Sequence, residues 1–252
     1  MNSHYTYLIV NLCCLIVPLI FSFHPKIRFY RIWKSFAAGA LFMMLLFIPW
    51  DVFFTSQGIW GFNEQYIIGK KMIGLPVEEW LFFICIPYAC CFTYWCMKLF
   101  VRSGINGPWW LLSVSAVAVG FITIACLHWG RWYTFTAHLL CGLTLLAHVW
   151  ILRSEYLRTF SIMFIIILVP FVAANGVLTG LSFWQYPLLN ADVENVKDMV
   201  VWYNNAHNLQ LRICSMPLDD VSYGMLMLLL TITGFEWHLK REARGLNTAR
   251  TT

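Results

Sequence analysis

Charge is what this chain has least of. Only 12% of its 252 residues are Asp, Glu, Lys or Arg, whereas 60% are hydrophobic. Soluble domains carry about 25% charged residues, and a disordered chain would be polar and charge-rich. An aqueous domain of this size cannot hide so much apolar surface, so lipid must solvate much of it. Metal-binding motifs are missing too: there is no C-x-x-C, no H-E-x-x-H and no paired Cys/His spacing. Eight of the nine cysteines lie in apolar runs, Cys214 being the exception, and they read as buried free thiols. Neither G-x-G-x-x-G nor G-x-x-x-x-G-K-[ST] occurs, so nothing points to a dinucleotide or a nucleotide phosphate. The net charge of +5 is modest and does not suggest a nucleic-acid partner; its value lies in where the cations sit.

What is present is a series of long apolar runs. A transmembrane helix needs about 20 mostly apolar residues. Seven stretches qualify: Tyr5–Phe23, Ser35–Phe54, Pro76–Leu99, Pro108–Leu127, Trp132–Leu152, Thr159–Gly180 and Leu218–Trp237. The second carries Asp51, and the third and seventh carry acids in their first turn. Met1–Tyr5 holds no Lys or Arg, so the first run reads as a retained helix and not as a cleaved signal. With seven crossings, twelve cations fall on one side: Lys26, Arg28, Arg31, Lys34, Lys98, Arg102, Arg153, Arg158, Lys240, Arg241, Arg244 and Arg250. Five fall on the other: Lys70, Lys71, Arg131, Lys197 and Arg212. The richer side is expected to be cytoplasmic, which puts the N-terminus outside and the C-terminus inside.

Two segments share a pattern that hydrophobicity does not demand. One reads Lys71-Met-Ile-Gly-Leu-Pro76-Val-Glu78-Glu79, the other Arg212-Ile-Cys-Ser-Met-Pro217-Leu-Asp219-Asp220. In each, a cation precedes a proline by five residues, and two adjacent carboxylates follow it. An aromatic lies six residues after each proline, at Phe82 and Tyr223. Trp60 lies 16 residues before Pro76, and Trp202 lies 15 before Pro217. The preceding spans carry Pro49 with Asp51, and Pro170 with Asn175. We read a duplicated three-helix unit, residues 1–103 and 132–252, joined by a connector span in 104–131. The extra span restores the orientation, so the fold class is all-α with two parallel repeats and both acid motifs on one side. Proline suits a first helical turn. Ordinary dipole-complementing acids would account for one carboxylate per helix; two in each half point to a site, because ionisable groups in a membrane mark function by default. Adjacent helical positions point about 100° apart, so one acid of each pair can face a cavity while the other faces the interface or the nearby cation. Which one does so stays open. Asp51 reads as a site residue, Asn175 as either a site residue or a helix break, and His138 and His148 as core or cavity residues.

At these residues the chain resembles the small membrane lycopene cyclases. The likeness rests on P-V-E-E-W-L-F-F at 76–83, W-Y-N-N at 202–205 with R-I-C-S-M-P-L-D-D-V-S-Y at 212–223, P-W-D at 49–51, G-I-W-G-F at 58–62 and N-G-V-L-T-G at 175–180. One departure is Asp219-Asp220, where Glu-Asp would match the family. The resemblance implies a redox-neutral cyclisation of lycopene to β-ionone rings with no cofactor and no metal. A carboxylic acid protonates the terminal double bond, the neighbouring double bond closes the ring, and a proton is lost. It implies Glu78, Glu79, Asp219 and Asp220 as catalytic candidates. Asp51, Trp60, Phe82, Asn175, Trp202, Tyr203, Asn204 and Tyr223 are the candidates for holding substrate, the aromatics through cation–π contact with the intermediate. The expected partners are lipid-dissolved lycopene and membrane lipid, in a bacterial cytoplasmic membrane, with a homo-oligomer or contact with other carotenoid enzymes compatible with this. Two other readings compete: another membrane terpenoid cyclase with the same acid chemistry, and a seven-helix proton-coupled transporter or receptor.

Overall fold

The structure, a computed structural model, describes residues 4–100 and 107–251, with side chains up to residue 244. Arg102, the boundary between residues 103 and 104, and the side chain of Arg250 therefore lie outside the described residues. Each apolar run has its helix: α1 Thr6–Phe21, α2 Trp33–Ser56, α3 Val77–Phe100, α4 Pro108–Leu127, α5 Trp132–Leu146, α6 Leu157–Thr179 and α7 Asp219–Thr251. A π-helical turn, Ala147–Ile151, extends α5. Five of these helices are long and apolar enough to cross a membrane: α2 (with the 3-10 turn before it), α3, α4, α5 (with its π turn) and α6. The apolar α1 has 16 residues, and α7 runs on for 33 into a charged tail.

The helices are bare of side-chain caps at most of their ends, and their outer faces are apolar: Leu45 is 77% exposed and Val169 78%. Exposed tryptophans mark helix ends, among them Trp109, Trp129, Trp132 and Trp150, the positions an interfacial aromatic favours. Helix α1 packs on α3, and α5 packs on both α4 and α7. The middle helix of each half crosses over, α2 lying on α7 and α6 on α3. The α2–α7 crossing is close because it is glycine on glycine. A Cβ on Gly39 would come within 2.3 Å of the Thr231 carbonyl oxygen, and one on Gly234 within 2.8 Å of the Gly39 Cα. Small residues let helices approach like this in lipid. At the far end of the bundle, the buried Glu236 of α7 accepts from Tyr94 at 2.6 Å and pairs with Lys98, both on α3.

The connections contain short strands, so the fold is helical with a small β-structured cap at one end. These are β1 Trp60–Phe62, β2 Lys71–Met72, β3 Leu75–Pro76, β4 Leu189–Asn190, β5 Val201–Tyr203, β6 Arg212–Ile213 and β7 Met216–Pro217. Strand β1, after α2, pairs antiparallel with β5, after α6, in the register Trp60↔Tyr203. The two motif prolines differ from expectation: they lie in hairpins just ahead of the helices and not in a first turn. Lys71 is paired with Pro76, and Arg212 with Pro217. Proline has no N–H to give and is tolerated in short edge strands. Each hairpin turns through a residue with positive φ, Ile73 at 53° and Cys214 at 56°. The residue after each proline donates its N–H seven positions back, Val77 to Lys70 O (3.0 Å) and Leu218 to Leu211 O (2.9 Å). The hairpins thus deliver both acid pairs to the capped end.

Candidate active site

Beneath that cap the ends of α1, α2, α3, α5, α6 and α7 enclose a polar cavity. Eight of the sequence-derived candidates line it: Asp51, Trp60, Glu79, Phe82, Asn175, Tyr203, Asp220 and Tyr223. All three carboxyl groups are buried, with Asp51 1% exposed, Glu79 7% and Asp220 3%. Among the described residues, no Lys or Arg lines the cavity.

Its hydrogen bonds divide the acids into two sets. Asp51 and Glu79 lie beside one another in the cavity. Asp51 Oδ1 also accepts from Trp60 Nε1 at 2.6 Å, and Glu79 Oε2 accepts from the Tyr7 hydroxyl. Asp220 is instead surrounded by donors. Tyr133 donates to its Oδ1, while Asn175 Nδ2 (2.6 Å) and the Tyr203 hydroxyl (3.2 Å) donate to its Oδ2. Three donors fix the orientation of this carboxyl in the cavity. Burial, and then the Asp220 carboxylate, push the Tyr203 phenol well above its ordinary value, so it stays a donor at pH values that ionise an exposed tyrosine.

The other acid of each pair turns away and holds the cap. Glu78 Oε1 accepts the Ile68 N–H at 2.7 Å, and Asp219 Oδ2 accepts the Leu209 N–H at 3.1 Å, in each half a residue ten positions upstream. Asp219 Oδ1 also takes the Thr134 hydroxyl at 2.6 Å. Neither faces the interface or the motif cation, as the sequence suggested, because loop N–H groups beside each helix start need an acceptor. Lys71 pairs with Glu64 at 2.6 Å. Arg212, 1% exposed, donates to Ser215 O at 2.6 Å and to Asn205 Oδ1 at 3.1 Å, with its guanidinium 6.0 Å from the centre of the Tyr203 ring.

Two other candidates lie outside the cavity. Trp202, 37% exposed, lays its indole on Gly61, where a Cβ would come within 2.4 Å of the ring. Asn204 accepts from Ala206 N at 3.0 Å and shapes a short turn. His138 and His148 are buried and do not line the cavity; His138 Nδ1 lies 3.9 Å from Asp219 Oδ1, and His148 bonds Ser154 Oγ at 2.7 Å and Thr233 Oγ1 at 3.2 Å. Sequence reasoning missed Tyr7 and Tyr133. The one available signal was positional, since each is the second residue of its helix, α1 or α5, ahead of an acid motif.

The walls between the acids are aromatic. Trp60 lies edge-on to Tyr133 (centroids 5.1 Å apart) and Tyr223 (5.9 Å), and Phe62, Phe82 and Phe171 complete the lining. The site can thus supply a proton from one carboxyl pair, accept one at another carboxylate, and surround a cation with ring faces in between.

Comparison with known proteins agrees. The bifunctional lycopene cyclase/phytoene synthase of Neurospora crassa is 26% identical over 97 residues, 36% of this chain and 16% of that protein. The protein of the same description from Aspergillus niger is 25% identical over 124 residues, 45% of this chain and 21% of the relative. That from Pyrenophora tritici-repentis is 44% identical over 41 residues, 16% and 7% of the two chains. The matched segments thus span a small part of these curated relatives. No solved structure matches. The lycopene cyclase family matches residues 4–97 and 130–238, which include every residue of the acid cluster, and the chain belongs to that family.

Proposed function

We propose that this chain is a membrane carotenoid cyclase that closes rings at the acyclic ends of lycopene without redox chemistry. The observation that carries this reading is three buried carboxyl groups around one aromatic cavity, a neighbouring Asp51–Glu79 couple and an Asp220 that accepts from three donors. The couple gives its proton to the terminal double bond, leaving a tertiary carbocation. The neighbouring double bond attacks it, forming the ring's carbon–carbon bond and moving the positive charge into the ring. Asp220 takes a ring proton, the double bond reforms, and the product is an isomer of the substrate with a β-ionone end group. One proton leaves the couple and one arrives at Asp220, so turnover needs a proton to pass back between them. The faces of Trp60, Tyr133 and Tyr223 stabilise the cation, each by about 2 kcal/mol when desolvated.

In this reading all seven helices cross the membrane, α1 and α7 included, with the acid cavity near the outer surface. Residues 1–103 and 132–252 are the two copies of one unit around the 104–131 connector. Tyr7 with Glu79 and Tyr133 with Asp220 are matching contacts, as are Glu78 with Ile68 and Asp219 with Leu209. Asp51 and Asn175 occupy corresponding places, each lining the cavity beside the inward acid of its half.

The test is conversion of lycopene by the purified chain in lipid, with a chelator present and without flavin or nicotinamide, followed by pigment analysis. Cyclic carotenoid is expected under these conditions. Unchanged lycopene, or a strict need for a reductant, would overturn the reading.

A further inference from the structure

A second cavity lies between α1, α3 and α6 and shares Phe82, Phe171, Asn175 and Leu178 with the acid cavity. On α3 its lining follows one face, Phe82, Ile86, Ala89 and Thr93; these continue the line of Glu79 at spacings of three and four residues, as one helical stripe requires. From Phe82 to Thr93 that stripe descends roughly 16 Å at 1.5 Å per residue. On α6 the stripe from Asn175 continues through Phe171 to Ile167, and on α1 that of Tyr7 continues through Cys14 to Pro18. All three stripes therefore start at a residue of the acid cluster and run away from it into the bundle.

The lining offers a guest almost no polar contact. The Thr93 hydroxyl donates to Ala89 O at 2.9 Å, and the Asn175 amide donates to Asp220 at the shared end. A cavity with no unsatisfied polar group does not hold water well and suits a hydrocarbon. Internal prolines line two of its walls, Pro18 in α1 and Pro170 in α6, while the Pro87 of α3 lies off the lining. A proline ring crowds the preceding turn and bends a helix, which keeps these walls from closing on α3.

We infer that this cavity binds the polyene chain of the substrate, holding it along α3 while its acyclic end lies among the carboxyls. This rests on the cyclase reading above and adds the site that recognises the rest of the molecule. A rod-shaped hydrocarbon fits a straight apolar slot that opens into a reactive chamber, and the slot sets how far the end group advances toward Glu79. Ala89 is the position through which the slot can be narrowed without touching the acids.

The experiment measures lycopene conversion by membranes carrying the intact chain, Ala89→Val, Ala89→Leu and Ala89→Phe, with Val169→Phe on the lipid-facing side of α6 as a control. A methylene in an apolar pocket is worth about 10-fold or more in discrimination. KM for lycopene should climb with side-chain size, reaching at least about 10-fold in Ala89→Phe, while kcat at saturation stays within about 2-fold and the control is unchanged. If Ala89→Phe does not accumulate, the same trend across Ala89→Val and Ala89→Leu decides. Unaltered KM through the series in a chain that converts lycopene would overturn the slot and leave the cyclase reading standing. No conversion by the intact chain would overturn both.

Discussion

Glu78 and Glu79 are neighbours in sequence with different surroundings, and so are Asp219 and Asp220. The inward members, Glu79 and Asp220, meet tyrosine hydroxyls and each other's cavity; the outward members hold loop N–H groups. General acid–base groups are typically worth ~10²–10⁴-fold in rate. Glu79→Gln and Asp220→Asn should therefore each lower lycopene conversion by about that factor while the protein still accumulates in the membrane, which immunoblots and pigment analysis together would establish. Normal cyclic carotenoid from both variants would show that the inward acids do not carry the chemistry. Asp219→Asn should behave differently. Its single carbonyl oxygen cannot serve both Thr134 and Leu209, so one buried donor loses its acceptor, at a cost of about 1–3 kcal/mol. We expect a lowered midpoint of thermal unfolding in detergent, with turnover per folded molecule retained within about 10-fold.

Among the elements, the α2–α7 contact is the one most sensitive to added bulk. Gly39 and Gly234 let two backbones touch, and the atoms a side chain would strike are backbone atoms with no freedom to move. Gly39→Val should therefore abolish accumulation of folded protein, as judged by size-exclusion profiles after mild extraction. Gly120 on α4 has open space at its Cβ position, so Gly120→Ala should be well tolerated. A folded Gly39→Val protein would mean that the helices can separate without loss, against the packing seen here. The hairpins before α3 and α7 matter for another reason. Their shared register brings each helix into the bundle with the same rotation, so that the second acid of each pair points inward.

For the molecule as a whole, the crossed packing of α2 on α7 and α6 on α3 interlocks the N-terminal and C-terminal helices. The site has the same character: Asp51 and Glu79 come from one half, Asn175 and Asp220 from the other, and β1–β5 ties the loops above them. Ion pairs neutralise cations at both ends, Lys71 with Glu64 at the capped end and Lys98 with Glu236 and Lys240 with Glu155 at the other, and Arg212 is buried. We expect the capped end to lie outside. A cysteine at position 70 should react with a membrane-impermeant maleimide on intact cells, and one at position 26 only after lysis. The reverse pattern would invert the topology.

Much of this protein was legible in local terms. Apolar runs located six helices and the start of α7 to within a few residues, since every backbone polar group in lipid must be satisfied inside its own segment; α7 continues past its apolar run to Thr251, where hydropathy gives no signal. The paired acids, the prolines before them, Asp51 and Trp60 stood out because charge and indole are conspicuous against an apolar background. Other features depended on contacts across long separations. Tyr7 reaches Glu79 across 72 positions, and Tyr133 reaches Asp220 across 87; neither tyrosine is unusual in its own neighbourhood. The choice between Glu78 and Glu79 follows from the rotation of α3 about its axis, which the Lys71–Pro76 hairpin and the packing against α1 and α6 impose. Hydropathy is a property of each segment alone, whereas helix rotation and the gap between α1, α3 and α6 belong to segments packed together, so they are decided only when the chain is folded.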